Sequence, residues 1–145
     1  MKLGIKLCRQ GAQLPTYATP GSACFDLHAV MDFSVELYSG MSLLVPTGLI
    51  FDIPEGHVMM VYSRSGHGFK HDVRLSNCVG VIDSDYKSEV MVKLRRDGNN
   101  WIDPFVVEHG DRIAQAMIVP VQQFTLEQVE EVTETGRGGF GSTGK

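Results

Sequence analysis

NCVGVIDSDYKSEVMV, residues 77–92, is the stretch on which the reading of this chain turns. Val79, Val81 and Ile82 form a β-branched run. Asp83, Ser84 and Asp85 have the chemistry of a tight turn. Glu89, Val90, Met91, Val92 and Lys93 then alternate polar and apolar, so the segment reads as strand, turn and strand, a hairpin. Two carboxylates beside Tyr86 on a short turn offer a candidate base, an aromatic wall and fixed backbone donors in one small volume. Such a combination suits a small planar ligand. Asp83 reads equally well as a buried general base or as the cap of an Asx turn.

Short apolar runs continue in both directions, including residues 2–7, 24–30, 33–37, 42–45, 48–53, 57–62, 73–75, 101–107, 112–119 and 124–132. Turn signals such as PGS, YSG, PTG, PEG, RDGNN and EHGD separate them. Many short strands at roughly 8–12-residue spacing predict an all-β sandwich or barrel. Residues 66–71 and 126–132 are the two segments with helical character, and strand is the preferred reading for the second. There is no internal repeat or linker, and 145 residues suit a single core.

Composition excludes several classes. A net charge of −4 gives no footprint for long nucleic acid. Three cysteines, with no CxxC, suggest neither a disulfide framework nor a thiolate zinc site, and they fit a reducing compartment. The first ten residues read as too short and too polar for a signal peptide, and no apolar run reaches the ~20 residues of a membrane span.

Four more stretches carry candidate chemistry. ATPGSACFDLHA (residues 18–29) places Asp26 between Phe25 and Leu27, either on the solvent face of a strand or near a bound cation. YSRSGHGFKH (62–71) ends a strand in Ser-Arg-Ser-Gly, where Arg64 offers a planar fork to phosphate, Ser65 a hydroxyl and Gly66 close backbone approach. A solvated turn explains the same residues. His67 and His71 lack a third metal ligand at a suitable spacing and read as surface or subunit-contact residues. GDRIAQAMIVP (110–120) sets Gln115 in an apolar strand, where a buried amide needs a backbone or ligand partner. TGRGGFGSTGK (135–145) is too rich in glycine to build a core, yet its backbone suits phosphate and Phe140 suits a flat ring.

Taken together and in this order, the five stretches resemble the five motifs of the trimeric dUTPase family, most closely its bacterial and phage branch. The resemblance runs from Tyr17 to Gly144. It implies a jelly-roll β-barrel over residues 1–134, an active-site arm over 135–145, a homotrimer with shared sites, a cytoplasmic setting, and Mg²⁺-dependent hydrolysis of dUTP to dUMP and pyrophosphate. On this basis Asp83 matches the base that activates water and Tyr86 the ring under the deoxyribose. Asn77, Gly80, Val81, Ile82, Asp83 and Met91 match the nucleoside pocket. Arg64, Ser65, Gly66 and Gln115 match the phosphate contacts. Asp26 matches the carboxylate that meets magnesium through water. Phe140 matches the ring that stacks on uracil, and Arg137, Gly141, Ser142 and Thr143 fall in the phosphate-binding tail. Ser63 replaces a common proline and is expected to loosen its turn. Cys24 and Ser88 replace common glycines, and Arg137 lies two residues nearer Phe140 than the usual tail arginine. A dCTP deaminase, a nucleotide-sensing module and a structural jelly roll are the competing readings. The intact VGVIDSDY and GGFGSTG segments argue against the first, and the last leaves Asp83, Arg64 and Gln115 without a role.

Overall fold

The computed structural model describes residues 2–99 and 101–139. Among these residues eleven strands follow in order: β1 (Gly4–Leu7), β2 (Phe25–His28), β3 (Val35–Leu37), β4 (Ser42–Pro46), β5 (Leu49–Asp52), β6 (His57–Tyr62), β7 (Val73–Leu75), β8 (Val79–Ile82), β9 (Met91–Arg96), β10 (Phe105–Val107) and β11 (Arg112–Pro120). One helix, α1 (Ser65–His71), separates β6 from β7. The expected all-β architecture is present as four antiparallel sheets around one core. A four-stranded sheet runs β2-β11-β6-β8, a three-stranded sheet runs β4-β9-β7, and β1–β5 and β3–β10 form two-stranded ribbons.

Strand alternation builds that core. Phe25, Leu27, Met59, Val61, Ala114 and Ala116 turn inward from the larger sheet, and Val45, Val73, Leu75, Val92 and Leu94 from the smaller. Each fully buried Val, Leu, Met or Phe contributes about 1.5–3 kcal/mol relative to exposure. The same period draws Arg96 inside, to 6% exposure, because it follows Val92 and Leu94 on the inward face of β9. Its Nη1 donates to the carbonyls of Leu37 (3.2 Å) and Asp103, which tethers the smaller sheet to β3 and to the approach to β10.

Two expectations change. Residues 77–92 are not a paired hairpin. Strand β8 pairs with β6, whereas β9 pairs with β4 and β7, so the segment crosses from one sheet to the other. A β-turn remains at its centre, with the Tyr86 N–H donating to the Asp83 carbonyl at 3.2 Å. Residues 126–132 form neither strand nor helix. Leu126 and Val129, the apolar positions of that segment, are 94% and 59% exposed, so they find little among the described residues to pack against.

Gly48, in the turn between β4 and β5, is required on two counts. Its φ is +68°, and a Cβ there would stand 2.5 Å from the Cβ of Ala12. Gly48→Ala therefore combines left-handed strain with a backbone-anchored clash. It should cost roughly 2–4 kcal/mol, measured as a lowered urea midpoint with an unchanged slope.

Candidate active site

The antiparallel register sets one end of the larger sheet. Gln115 of β11 lies opposite Asp26 of β2 on one side and Tyr62 of β6 on the other. A bulge in β11 separates Arg112, opposite His28, from Ala114, opposite Leu27. In a regular strand Arg112 and Gln115, three residues apart, point to opposite faces. The extra residue cancels that half-period. Both line one cleft of about 300 Å³ together with Asp26, Arg64, Ser65, Gly66, Cys24 and Ser22.

Arg64 is held in place before any ligand arrives. It is the N-cap residue of α1, with extended backbone (φ −85°, ψ 131°). Its Nη1 donates to the Arg112 carbonyl at 3.3 Å and meets His67 Nε2 at 3.2 Å, and its Nε stands 3.5 Å from Asp26 Oδ1. Arg112 Nη1 approaches the other Asp26 oxygen at 3.4 Å. Asp26 is thus no solvent-face residue: its side chain is 13% exposed and lies between two guanidiniums. Burial, then the charge of Arg64, holds His67 below the ordinary histidine range. In its neutral form His67 accepts from Arg64, and its ring also meets Phe105 edge-on at 5.0 Å. His71 packs on the same phenylalanine at 5.2 Å. His67 therefore packs within the chain and orients Arg64, whereas His71 stays exposed, as expected of a surface histidine.

Ser63 tightens the turn it was expected to loosen. Its hydroxyl accepts from the Leu75 N–H at 2.9 Å, and its carbonyl accepts from Gln115 Nε2 at 3.0 Å. The Gln115 amide NH₂ is used inside the chain. Gly66 has no atom within 4 Å of where a Cβ would stand, so its bare backbone faces open space beside Ser65. In α1 the His67 and Gly68 N–H groups donate to the Arg64 carbonyl at 3.1 Å, and those of Ser65 and Gly66 precede that bonding.

A second hollow, of about 270 Å³, opens between the two sheets. Asn77, Gly80 and Ile82 line it from the larger sheet side and Met91 from β9, with apolar walls from Leu44, Val61, Leu75, Val90 and Val92. Met91 and Gly80 do share a pocket, although their strands do not pair. A Cβ on Gly80 would press on Val61 Cβ at 3.1 Å, so glycine keeps this pocket open. Cys78, at φ 65°, makes the sharp bend that follows Asn77.

Val81 and Asp83 belong to neither hollow. They line a third, with Glu55, His57, Met60, Ser84, Asp85 and Gln123. Register gives the separation: Ile82 pairs with Met59, three residues along β6 from Tyr62. Asp83, one residue further on, therefore stands about 13 Å along the strands and about 10 Å across them from Gln115. Tyr86 is 42% exposed, with its hydroxyl donating to the Glu89 carbonyl at 3.0 Å. Arg137 is exposed. Phe140, Gly141, Ser142 and Thr143 lie outside the described residues. Sequence reasoning missed Arg112 as part of the cleft, and Ser63 and His67 as the residues that hold Gln115 and Arg64 beside it. The GDR preceding Gln115 was visible, but the bulge that turns Arg112 inward was not.

An arginine-lined cleft with helix N–H groups, set apart from an apolar hollow, defines an all-β protein suited to a phosphorylated small molecule. A family model described as dUTPase matches residues 10–144. The deoxyuridine 5'-triphosphate nucleotidohydrolase of Polynucleobacter asymbioticus is 46% identical over 140 residues, covering 94% of this chain and 92% of that protein. Its namesake from Aeromonas salmonicida is 47% identical over 135 residues, covering 91% and 87%. The structure of the dUTPase of Staphylococcus bacteriophage 80alpha, a G164S mutant with dUpNHpp, superposes with a TM-score of 0.87 at 27% identity, covering 99% of each chain. The chain belongs to the dUTPase family.

His28 is also held below its ordinary range, by burial first. For both histidines the folded state disfavours the proton, so their contribution to stability is complete above the ordinary histidine value. It is lost as pH falls from there through the lowered folded values. Stability should therefore decline from about pH 7 to 5. His67→Leu should make the decline shallower, measured by urea denaturation at each pH.

Proposed function

We propose that this chain is a dUTP diphosphatase, converting dUTP and water to dUMP and pyrophosphate. The observation that carries the reading is the convergence of Asp26, Arg64, Ser65, Gly66 and Gln115 on one cleft, within a chain that the dUTPase model spans from residue 10 to 144. In this reading the triphosphate lies along Arg64, the Ser65 hydroxyl and the first N–H groups of α1. Charge that develops on the phosphate oxygens is met by donors already oriented. Arg112 adds a second guanidinium to the same cleft.

The uracil and deoxyribose take the hollow of Asn77, Gly80, Ile82 and Met91; Val81, expected with them, lines the third hollow instead. Uracil presents the hydrogen-bonding edge of a peptide, so backbone groups can pair with it. Cytosine would leave buried groups unpaired, and the thymine methyl would meet the walls. Tyr86 packs under the sugar. Asp83 takes a proton from water as it attacks the α-phosphorus in line, and the bond from that phosphorus to the bridging oxygen breaks as pyrophosphate leaves.

Asp83 is too far from the cleft of its own chain to do this, so the base must reach a triphosphate held by another copy. The proposed assembly is a homotrimer with shared sites and a cytoplasmic setting. Residues 1–134 form the body and residues 135–145 the arm that closes over the ligand, through Arg137, Phe140, Gly141, Ser142 and Thr143.

Among the described residues Asp26 is the one carboxylate that lines the cleft. Among the described residues no three metal-ligating side chains cluster. A single carboxylate fits contact through water with Mg²⁺ that the triphosphate itself brings, rather than a resident metal cage. When bound, the ion supplies charge neutralisation on the phosphates.

Pyrophosphate release from dUTP, dCTP, dTTP and UTP, each with and without Mg²⁺, tests the reading. Fast, magnesium-dependent release from dUTP alone is the expected result. Ammonia from dCTP would assign the chain to deamination instead. Asp83→Asn should keep nucleotide binding and lower kcat by about 10²-fold or more. Removal of residues 133–145 should leave a folded assembly with strongly reduced kcat/KM.

A further inference from the structure

The segment between β8 and β9 carries Asp83 and Tyr86, yet none of its residues lies in a ladder. Three other parts of the chain hold it: Arg9, the turn between β4 and β5, and Asp52, whose carboxylate accepts from Lys87 Nζ at 2.7 Å. Arg9 Nε donates to both carboxylate oxygens of Glu89, at 2.7 and 2.9 Å. The Gly48 N–H donates to the same carboxylate at 2.8 Å. The carbonyl of Glu89 accepts from the Tyr86 hydroxyl at 3.0 Å. One residue on, the Val90 N–H donates to the Leu49 carbonyl at 2.9 Å, and the buried Thr47 hydroxyl donates to the Val90 carbonyl at 2.6 Å.

Apart from the Lys87 bond, these fall into two sets. The Thr47, Leu49 and Val90 bonds anchor the approach to β9 and belong to the fold. The bonds from Arg9 through Glu89 to Tyr86 end on an exposed aromatic side chain and do nothing for the core. A ring that is 42% exposed gains little from being fixed, unless its position is used.

We propose that Arg9 and Glu89 are positioning residues for the nucleoside: they immobilise the Tyr86 ring, and that immobility sets the preference for deoxyribose over ribose. The inference rests on the dUTP diphosphatase reading and adds to it two residues that touch no substrate. The physical reason is stiffness. A wall excludes one extra hydroxyl only if it does not recede. Tyr86 is tethered at its far end, and the residue that provides the tether is fixed from behind by a charge-assisted pair. Without Arg9, Glu89 keeps only the Gly48 N–H of its two donors, the main chain at residue 89 gains freedom, and the ring can tilt away from a 2′-hydroxyl.

The test uses the full chain with Arg9→Met, Glu89→Gln, the double variant and Tyr86→Phe, which keeps the ring and removes the tether. Specificity is read as kcat/KM for dUTP over that for UTP, beside the melting temperature and hydrogen exchange at the Tyr86 amide. Arg9→Met and Tyr86→Phe should each lower the ratio roughly three- to tenfold, the scale of one hydrogen bond. The loss should come mainly through faster turnover of UTP. The double variant should be no worse than the more affected single one, because both act through one contact. A ratio unchanged in Arg9→Met and Tyr86→Phe, whatever happens to melting, overturns the proposal and leaves the pair a structural brace. Should Glu89→Gln fail to fold, Arg9→Met decides, since it spares the bond to Gly48. Should the wild type not cleave dUTP, the functional reading fails by itself. The tether is then judged by exchange at the Tyr86 amide: faster in Arg9→Met supports it, unchanged overturns it.

Discussion

Antiparallel register across three strands, with Asp26, Gln115 and Tyr62 abreast, is the constraint on which the cleft depends. Everything that lines it is placed relative to that row. The bulge in β11 adds Arg112 to the side that Gln115 faces. The chain leaves β6 just past Tyr62, so Ser63 and Arg64 emerge at the same level, and α1 begins there. Because hydrogen bonds to neighbouring strands fix the row, side chains do not have to find one another by diffusion of loops. Positioning of this kind saves entropy when the ligand binds.

The electrostatics of the row follow from the same geometry. Two guanidiniums share a small cleft, and like charges so close would repel in the absence of an anion. Asp26 lies between them and makes the arrangement tolerable. His67, kept neutral by burial and by Arg64, accepts a hydrogen bond without adding a third positive charge. An entering phosphate meets arginines whose orientation is already determined and whose carboxylate partner is held at the outer limit of contact, 3.4–3.5 Å.

Much of this was legible in the sequence, and what was not has a common cause. Strand positions follow from local alternation, so β6, β7 and β8 fall where the apolar runs predict. Which strand pairs with which is not local. Residues 79–82 and 91–96 read as the arms of a hairpin because they are neighbours in the chain, but β6 and β4 compete for those edges and win. Ser63 looked like a weaker proline only because the donors it accepts from, on Leu75 and Gln115, are remote in sequence. Asp26 looked solvent-facing for a similar reason: alternation predicts its face but not the arginines waiting there. Residues 126–132 show the converse error, apolar side chains left exposed among the described residues.

The separation of Asp83 from the arginine cleft also bears on inheritance. On the proposed assembly a lesion at Asp83 and a lesion at Arg64 spoil different contributions to a site. Coexpressed chains carrying one lesion each would form mixed assemblies in which some sites draw both contributions from undamaged copies. Two alleles, each inactive by itself, would then restore part of the activity together, whereas two lesions within the same cleft would not. The fold thus turns a distance of two strands and a few residues into a pattern of genetic complementation.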